Sequence, residues 1–300
     1  MTDRKPRIAI IPGDPSGIGP ELIAKLLEQE GVKDAADILL IGDQHVWQQG
    51  AQQAALTVDL AQIDEAEIET QEGLAWLPMQ TIAPEDVKIA EVTVAGGASS
   101  LRCLDKALDL AMAGKVDGVL FGPFNKAALT SAGLNAEDEH RYIARHIGFE
   151  GYHSEINVLD NLMTRPHIAV AALNPHAGDN GKFGREEIDI LQPVIKAAQA
   201  QQKHVTGPWP SDTVFLKAKR GEVDAVVTMY HDQGQIAIKL MGFDRGVTVA
   251  GGLPIPIATP AHGTAFDIAG QNKANVGATL QAFNLLVRMA RNHRASRAAA

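Results

Sequence analysis

The stretch RIAIIPGDPSGIGPELIAKLL, residues 7–27, has the pattern of a strand, a glycine-rich loop and the start of a helix. RIAII (7–11) is a short β-rich apolar run, and Pro20 suits the first position of a helix. Similar apolar runs recur along the chain: DILLIG (37–42), DGVLFG (117–122), HIAVAAL (167–173) and DAVVTMY (224–230). Alternation of such runs with helical patterns predicts an α/β fold with mainly parallel sheets and helices on their faces.

Two longer segments show helical periodicity. Apolar side chains fall on one face in SSLRCLDKALDLAMAGK (Leu101, Leu104, Leu108, Met112) and in NVGATLQAFNLLVRMAR (Val276, Leu280, Phe283, Val287). Both segments are therefore expected to be core-facing helices. Cys103, the only cysteine, lies in the first of them and is expected to be a packed thiol.

Composition narrows the class of protein. The chain has 300 residues, 45% apolar and 21% charged, with a formal net charge of −9, which suits one large or two moderate domains. Acids and bases are interspersed, so we expect a small-molecule ligand and no binding to nucleic acid or membrane. No stretch approaches the roughly 20 apolar residues of a membrane span, and we expect a cytoplasmic protein.

Polar, glycine- or proline-rich segments follow four of the apolar runs: PGDPSGIGPE (12–21), GPFNKAAL (122–129), NPHAGDNG (174–181) and HDQGQ (231–235). In doubly wound folds, ligands bind where loops leave the carboxyl ends of strands. The four segments therefore predict one composite site.

The first of these segments carries Gly13, Gly17 and Gly19, whose backbone N–H groups could face an anion such as a cofactor phosphate. The spacing differs from both the Rossmann and the P-loop fingerprints, and by itself it is equally typical of a tight turn. Asp14 is the residue that favours a functional loop.

Two histidines lie just beyond apolar runs, His176 after Asn174 and Pro175 and His231 before Asp232. A neutral imidazole at a strand end can bind a divalent metal, and a neighbouring carboxylate can orient its other nitrogen. A hydrogen-bonded structural histidine is the alternative interpretation of each. Since a metal site takes three or four donors, these two supply only part of one.

Taken in order, GDPSGIGPE, GPFNKAAL, HSE, NPHAGDNGKFGREE, GPWPSDTVF, MYHDQGQIAIK, GFDRGV and HGTAFDIAG resemble the 4-hydroxythreonine-4-phosphate dehydrogenase family. The resemblance implies the two-domain fold of isocitrate and isopropylmalate dehydrogenases, with the active site in the interdomain cleft at the interface of a homodimer. It also implies oxidation of a secondary alcohol with NAD or NADP and one divalent metal: zinc, cobalt, manganese or magnesium.

The resemblance assigns roles by position. His176 and His231 match metal ligands, and Lys239 matches a substrate lysine with a catalytic role. The other expected groups are Asp14 and Asp232 for catalysis and His153, Ser154, Thr248 and Lys126 for the substrate.

The chain departs from the family pattern at three places. A segment with the third metal histidine has no counterpart between Thr164 and Arg165. Either the chain is truly shortened here, or the sequence joins the two sides of an unobserved loop, which the abrupt junction MTRP favours. Ile257 replaces a phosphate-binding arginine, which removes charge-assisted hydrogen bonds, and Thr248 replaces an asparagine. The approach to His153 is longer and adds His140 and Arg141.

These features predict a first domain of residues 1–130 plus 258–300 and a second of 131–257. The predicted function is metal-dependent, NAD-linked oxidation, with decarboxylation, of a small hydroxy acid, a sugar-acid phosphate or a diol carboxylate. One alternative is authentic 4-hydroxythreonine-4-phosphate dehydrogenase, with Lys126, Lys239, Arg141 or backbone N–H groups at the phosphate. The other is a non-catalytic ligand-binding protein.

Overall fold

The computed structural model describes residues 4–57, 59–158, 166–242 and 245–299. Contacts divide the chain into a first unit of residues 1–159 and 244–300 and a second unit of 160–243. The edges differ from the expected ones, because the strand Val247–Gly251 is hydrogen-bonded to the strand Ile257–Pro260 and so belongs to the first unit.

The first unit contains an eight-stranded sheet in the order β3-β4-β2-β1-β5-β11-β10-β6. Its strands are β1 (Arg7–Ile11), β2 (Asp37–Gly42), β3 (Ala61–Gln62), β4 (Leu74–Pro78), β5 (Gly118–Phe121), β6 (Ser154–Val158), β10 (Val247–Gly251) and β11 (Ile257–Pro260). All paired strands are parallel except that β10 runs antiparallel to both β11 and β6. The mainly parallel sheet is thus confirmed.

Helices cover both faces of this sheet. They are α1 (Gly19–Leu27), α2 (Val32–Ala35), α3 (Gln44–Gln53), α4 (Val94–Met112), α5 (Lys126–Ser131), α6 (Glu139–His146) and α10 (Gly277–Ala299). On one face Ile8, Ile10 and Phe283 share a buried cluster, and on the other Ile11 and Leu104 do. Burial of β1 on both sides explains its unbroken apolar sequence.

The two predicted helices are present as α4 and α10. Phe283 is fully buried in α10, and Leu104 and Leu108 are buried in α4, as expected. Met112, the last residue of α4, is 48% exposed, so the core-facing position expected for it is wrong. Cys103 is a buried free thiol, and burial raises its pKa to about 12.

The second unit contains a three-stranded sheet in the order β8-β7-β9, all parallel. Its strands are β7 (Ile168–Ala171), β8 (Val205–Trp209) and β9 (Ala225–Val227), and its helices are α7 (Gln192–Ala200), α8 (Ser211–Lys219) and α9 (His231–Gly242). A small buried cluster of Ala169, Ala171, Val214 and Val223 joins this sheet to α8.

A helix that crosses a membrane has to be long and apolar. Within the part of the chain that the structure describes, none could cross a membrane.

Candidate active site

The glycine loop follows β1 at the carboxyl edge of the first unit's sheet, next to the loop that follows β5. The Asp14 N–H donates to the carbonyl oxygen of Pro123 at 3.0 Å. Gly13 has a φ of +78°, and a Cβ there would lie 2.5 Å from the Gly122 carbonyl carbon. A Cβ on Gly19 would lie 1.9 Å from the Pro12 carbonyl oxygen. Glycine is therefore required at both positions, whatever the loop binds.

Asp14 lies inside this loop and is only 1% exposed. Its Oδ1 accepts a hydrogen bond from the Ser16 N–H at 2.9 Å, and its buried Oδ2 has no hydrogen-bond partner among the described residues. Burial raises the pKa of the Asp14 carboxyl to about 6, although the hydrogen bond from Ser16 acts in the opposite direction. The buried position makes Asp14 an organiser of the loop in this structure.

The loop after β11 packs against the glycine loop. The Ile18 N–H donates to the carbonyl oxygen of Thr264 at 3.1 Å, and a Cβ on Gly17 would lie 2.9 Å from the Thr264 Cβ. His262 lies in the same loop, and burial lowers the pKa of its imidazole while a hydrogen bond with the Gly263 carbonyl opposes this. His262 was given no predicted role, although its motif HGTAFDIAG is one of those that resemble the family.

A buried carboxylate links α1 to the segment before α10. Glu21 is fully buried, and its Oε1 accepts hydrogen bonds from Lys25 Nζ at 2.7 Å and from the Ala274 N–H at 2.9 Å. Lys25 Nζ also donates to the Ala274 carbonyl oxygen at 2.9 Å. The helix that follows the glycine loop is thereby tied to the chain beyond His262.

Lys126 lies at the same carboxyl edge, after β5. It is the first residue of α5, where the Asn125 side chain caps the helix by accepting from the Ala128 N–H at 3.0 Å. Lys126 is exposed, and among the described residues it forms no ion pair.

The expected substrate groups His153 and Ser154 do not lie at this carboxyl edge. Ser154 begins β6 opposite Gly251, whereas Val158 at the end of β6 lies opposite Val247. Because β10 runs antiparallel to β11, Gly251 is at the amino edge of the sheet. The start of β6 is therefore roughly 13 Å, a five-residue strand's length, from the edge that carries Asp14.

Aromatic and imidazole rings surround His153 at this amino edge. Its ring stacks on His140 at 5.0 Å between centroids and meets the edge of Phe149 at 6.2 Å. Thr248 lies within β10, opposite Thr259 and Asn157. Ile257, in place of the family's arginine, is fully buried at the start of β11.

In the second unit, His176 lies in a turn that follows β7. Residues 176–180 have φ values between 43° and 80°, in the left-handed region. Such conformations are costly for the residues there that carry a Cβ. The exposed His176 ring contacts Phe183 at 5.9 Å between centroids.

His231 and Asp232 begin α9, just after β9, and both are largely exposed. His231 Nδ1 is 2.7 Å from Asp232 Oδ1, which leaves Nε2 as the nitrogen available to a ligand. Gln233 is held by the backbone: its Oε1 accepts from the Met229 N–H at 2.8 Å, and its Nε2 donates to the Ala172 carbonyl oxygen at 3.0 Å. Gln233 was not among the predicted site residues.

Because β7 and β9 are adjacent parallel strands, His176 and His231 follow strands that end at the same edge of the second sheet. Among the described residues, no group of three or more His, Cys, Asp or Glu side chains is placed to hold a metal ion. The two imidazoles by themselves would supply at most two of the three or four donors that a metal site takes. The junction between Thr164 and Arg165 lies outside the described residues.

Lys239 is an exposed residue of α9. It lies eight residues beyond His231, or roughly 12 Å along the helix axis. Among the described residues it forms no ion pair.

Comparison with solved structures identifies the fold class of the chain. The isocitrate dehydrogenase from Methylococcus capsulatus matches with a TM-score of 0.50 at 13% identity, covering 97% of this chain and 87% of that one. This likeness shows the shared α/β fold.

Comparison with relatives then identifies the family. The family model described as "Pyridoxal phosphate biosynthetic protein PdxA" matches residues 34–164 and 153–286. A Pseudomonas aeruginosa protein named "Putative 4-hydroxythreonine-4-phosphate dehydrogenase 2" is 46% identical over 330 residues, covering 96% of this chain and 98% of that protein. The chain belongs to the PdxA family, and it is an oxidoreductase of the dehydrogenase type.

Two further relatives support this assignment. D-threonate 4-phosphate dehydrogenase from Salmonella typhimurium is 36% identical and covers 94% of this chain and 98% of its own length. The crystal structure of 4-hydroxythreonine-4-phosphate dehydrogenase from Klebsiella pneumoniae matches with a TM-score of 0.81 at 31% identity, covering 96% of this chain and 99% of that one.

The alignments with the family model and with the Pseudomonas relative show a gap within this chain. The family model matches in two parts that overlap at residues 153–164. The Pseudomonas match spans 330 positions although this chain has 300 residues. That relative therefore has several tens of residues without a counterpart here.

Proposed function

We propose that the protein oxidises the secondary alcohol of a small phosphorylated hydroxy acid, with NAD or NADP as hydride acceptor. The observation that carries the proposal is the position of His176 and His231, which follow adjacent parallel strands at one edge of the second sheet. The names of the relatives support the substrate class, because one is a D-threonate 4-phosphate dehydrogenase.

We propose His176 and His231 as ligands of a divalent cation: zinc, cobalt, manganese or magnesium. Imidazole nitrogens suit zinc and cobalt better than manganese and magnesium, which favour oxygen donors. The pairing of His231 Nδ1 with Asp232 is the arrangement that orients a ligand histidine. A bound divalent cation acts as a Lewis acid that acidifies a hydroxyl group and polarises a carbonyl.

This chain's residues would then bind and orient the substrate. Lys239 is proposed to pair with an anionic group, and His153, Ser154, Thr248 and Lys126 remain proposed substrate contacts. Asp14 and the glycine loop are proposed to shape the cofactor region, since the carboxylate is buried.

The overall reaction is a hydride transfer. A hydride leaves the carbinol carbon for the nicotinamide, and the hydroxyl proton leaves for a base, for which Asp232 is the proposed candidate. Where the alcohol is β to a carboxylate, the product is a β-keto acid, and we propose that it loses carbon dioxide.

The test is NAD(P) reduction, followed at 340 nm, with D-threonate 4-phosphate and 4-hydroxythreonine 4-phosphate and each of the four metals. We expect reduction with at least one phosphorylated substrate, release of carbon dioxide, and loss of activity in His176→Ala and His231→Ala. No reduction with any combination by well-folded protein would overturn the proposal.

An unphosphorylated diol carboxylate is the second candidate substrate. Ile257 is fully buried where the family pattern has a phosphate-binding arginine, so this position offers the substrate no positive charge. Reduction of NAD with a cis-diol carboxylate, and none with phosphorylated acids, would favour this candidate.

We propose a homodimer as the working state. The helix α9 has no buried residue, and it exposes Ile236 and Leu240 at 59% and 83%. Exposed apolar side chains on one helix are typical of an interface. A monomer in sedimentation experiments at micromolar concentration would contradict this assignment.

A further inference from the structure

The carboxylate of Glu187 is buried beneath the turn that carries His176. Glu187 begins a π-helical turn (Glu187–Leu191) and is only 1% exposed. Its Oε1 accepts hydrogen bonds from the backbone N–H groups of Leu173 at 2.9 Å and Asn174 at 2.7 Å. One carboxylate oxygen thus fixes the two residues that leave β7.

The other oxygen of the same carboxylate binds the side chain of Asn174. Asn174 Nδ2 donates to Glu187 Oε2 at 2.9 Å and to Glu186 Oε2 at 2.6 Å. Burial acts to raise the pKa of Glu187, but the hydrogen bonds from Asn174, from the backbone of Glu187 and from Leu173 outweigh it, and the pKa lies below its ordinary value. The carboxylate is therefore ionised at neutral pH and accepts these hydrogen bonds.

The carboxylate also lies against the far side of the turn. A Cβ on Gly178 would be 2.7 Å from Glu187 Oε2, so the carboxylate contacts the chain both before and after His176. The residues between these contacts adopt left-handed φ values, including 53° at His176 and 54° at Ala177. Such backbone conformations persist only where surrounding contacts hold them.

We propose that Glu187 is a positioning residue that holds the His176 imidazole in place for ligand binding. Glu187 acts through the backbone of residues 173–178 and does not itself contact the substrate or the metal. The inference rests on the proposed function, in which His176 binds a divalent cation.

The test compares Glu187→Gln with Glu186→Gln. An amide at position 187 has the shape of the carboxylate, but its NH₂ group must face either the two backbone N–H donors or the Asn174 Nδ2 donor. Glu186→Gln removes the same charge from the neighbouring residue and keeps an oxygen acceptor for Asn174. It is therefore the matched control.

The readout is Co²⁺ affinity without substrate, from the visible absorption of the cobalt complex and from titration calorimetry. We expect Glu187→Gln to weaken Co²⁺ binding on the order of 10-fold or more, as loss of a residue that orients a ligand does. Glu186→Gln should bind Co²⁺ as the unmodified protein does. Circular dichroism should be unchanged in both.

His176→Ala separates failure of this inference from failure of the proposed function. If His176→Ala and the unmodified protein bind Co²⁺ equally, the metal assignment is wrong and the inference falls with it. If His176→Ala loses binding while Glu187→Gln keeps it, only the positioning role is overturned. Should Glu187→Gln not fold, Asn174→Ala, which removes only the side-chain hydrogen bonds, replaces it. That variant must then weaken Co²⁺ binding for the inference to stand.

Discussion

The side-chain amide of Gln233 joins the first turn of α9 to Ala172, just beyond the end of β7, by a hydrogen bond of 3.0 Å. Its oxygen accepts from the Met229 N–H at 2.8 Å, which satisfies the other half of the amide. Gln233 follows His231 closely in sequence, and Ala172 shortly precedes His176. One amide therefore links the two segments that carry the proposed metal ligands.

Replacing Gln233 by glutamate should disrupt this link. The carboxylate can still accept from Met229, but its second oxygen would face the Ala172 carbonyl oxygen. We expect a loss of roughly 1–3 kcal/mol in the free energy of unfolding, measured in urea, together with a lower kcat. Gln235→Glu adds the same charge on the same helix and is the control. Equal stability of the two variants would contradict the role given to Gln233.

Arg7 should be essential for the stability of the first unit. It is 2% exposed, and its guanidinium donates to the carbonyl oxygens of Lys115, Glu69 and Gln71 and to the Gln71 side chain. Arg7→Met leaves these acceptors without their donor, and we expect a loss of at least roughly 1–3 kcal/mol in urea unfolding, the cost of a buried acceptor left unsatisfied.

Arg4→Met is the matched control for Arg7→Met. Arg4 pairs with Asp117 at 3.1 Å, but its side chain is 35% exposed. Exposed ion pairs contribute roughly 1 kcal/mol or less. Equal losses in the two variants would show that the buried hydrogen bonds of Arg7 do not stabilise the fold.

The amino-acid sequence was sufficient to predict strands in the parallel part of the first sheet. The runs at β1 and β2 were placed at the residues that the structure shows, because strands buried on both faces are continuously apolar. The predicted domain edges differed, since β6 and β10 join the first sheet by pairing between segments far apart in sequence. Local sequence patterns carry no information on such pairing.

The site was predictable only where polar residues follow an apolar run. His176 and His231 were predicted as candidate ligands for this reason. Glu187 and Gln233 were not, because they act by hydrogen bonds to backbone groups of distant residues, which leave no pattern in the sequence. The burial of Asp14 was not apparent either, since it depends on how the loop folds back on β5.

Asp14 should make stability depend on pH. Its folded pKa of about 6 lies above the ordinary value of 3.8, so the folded state binds more protons between these values. Folding stability should therefore fall as pH rises from 4 to 6. Above pH 6 this loss of stability, which is the cost of ionising the buried carboxyl, should persist. Asp14→Asn removes this cost and should be stabilising at pH 8, by at most roughly 3 kcal/mol, with a smaller difference at pH 4.

The measurement for Asp14→Asn is urea unfolding at pH 4, 6 and 8. Asp34, an exposed aspartate in the first turn of α2, provides the control, and Asp34→Asn should shift stability little at every pH. A difference between Asp14→Asn and the unmodified protein that stays constant from pH 4 to pH 8 would rule out the raised pKa.

Substitution of Lys239 tests whether α9 binds the anionic part of the substrate. Removing a cation that pairs equally with substrate and transition state raises KM and leaves kcat nearly unchanged. We expect Lys239→Met to raise KM for the hydroxy acid on the order of 10-fold, as the loss of one charge-assisted hydrogen bond implies, without changing KM for NAD. Lys196→Met, an exposed lysine of α7, is the matched control. A fall in kcat with unchanged KM would instead make Lys239 a participant in the proton transfer, and no change in either would remove it from the site.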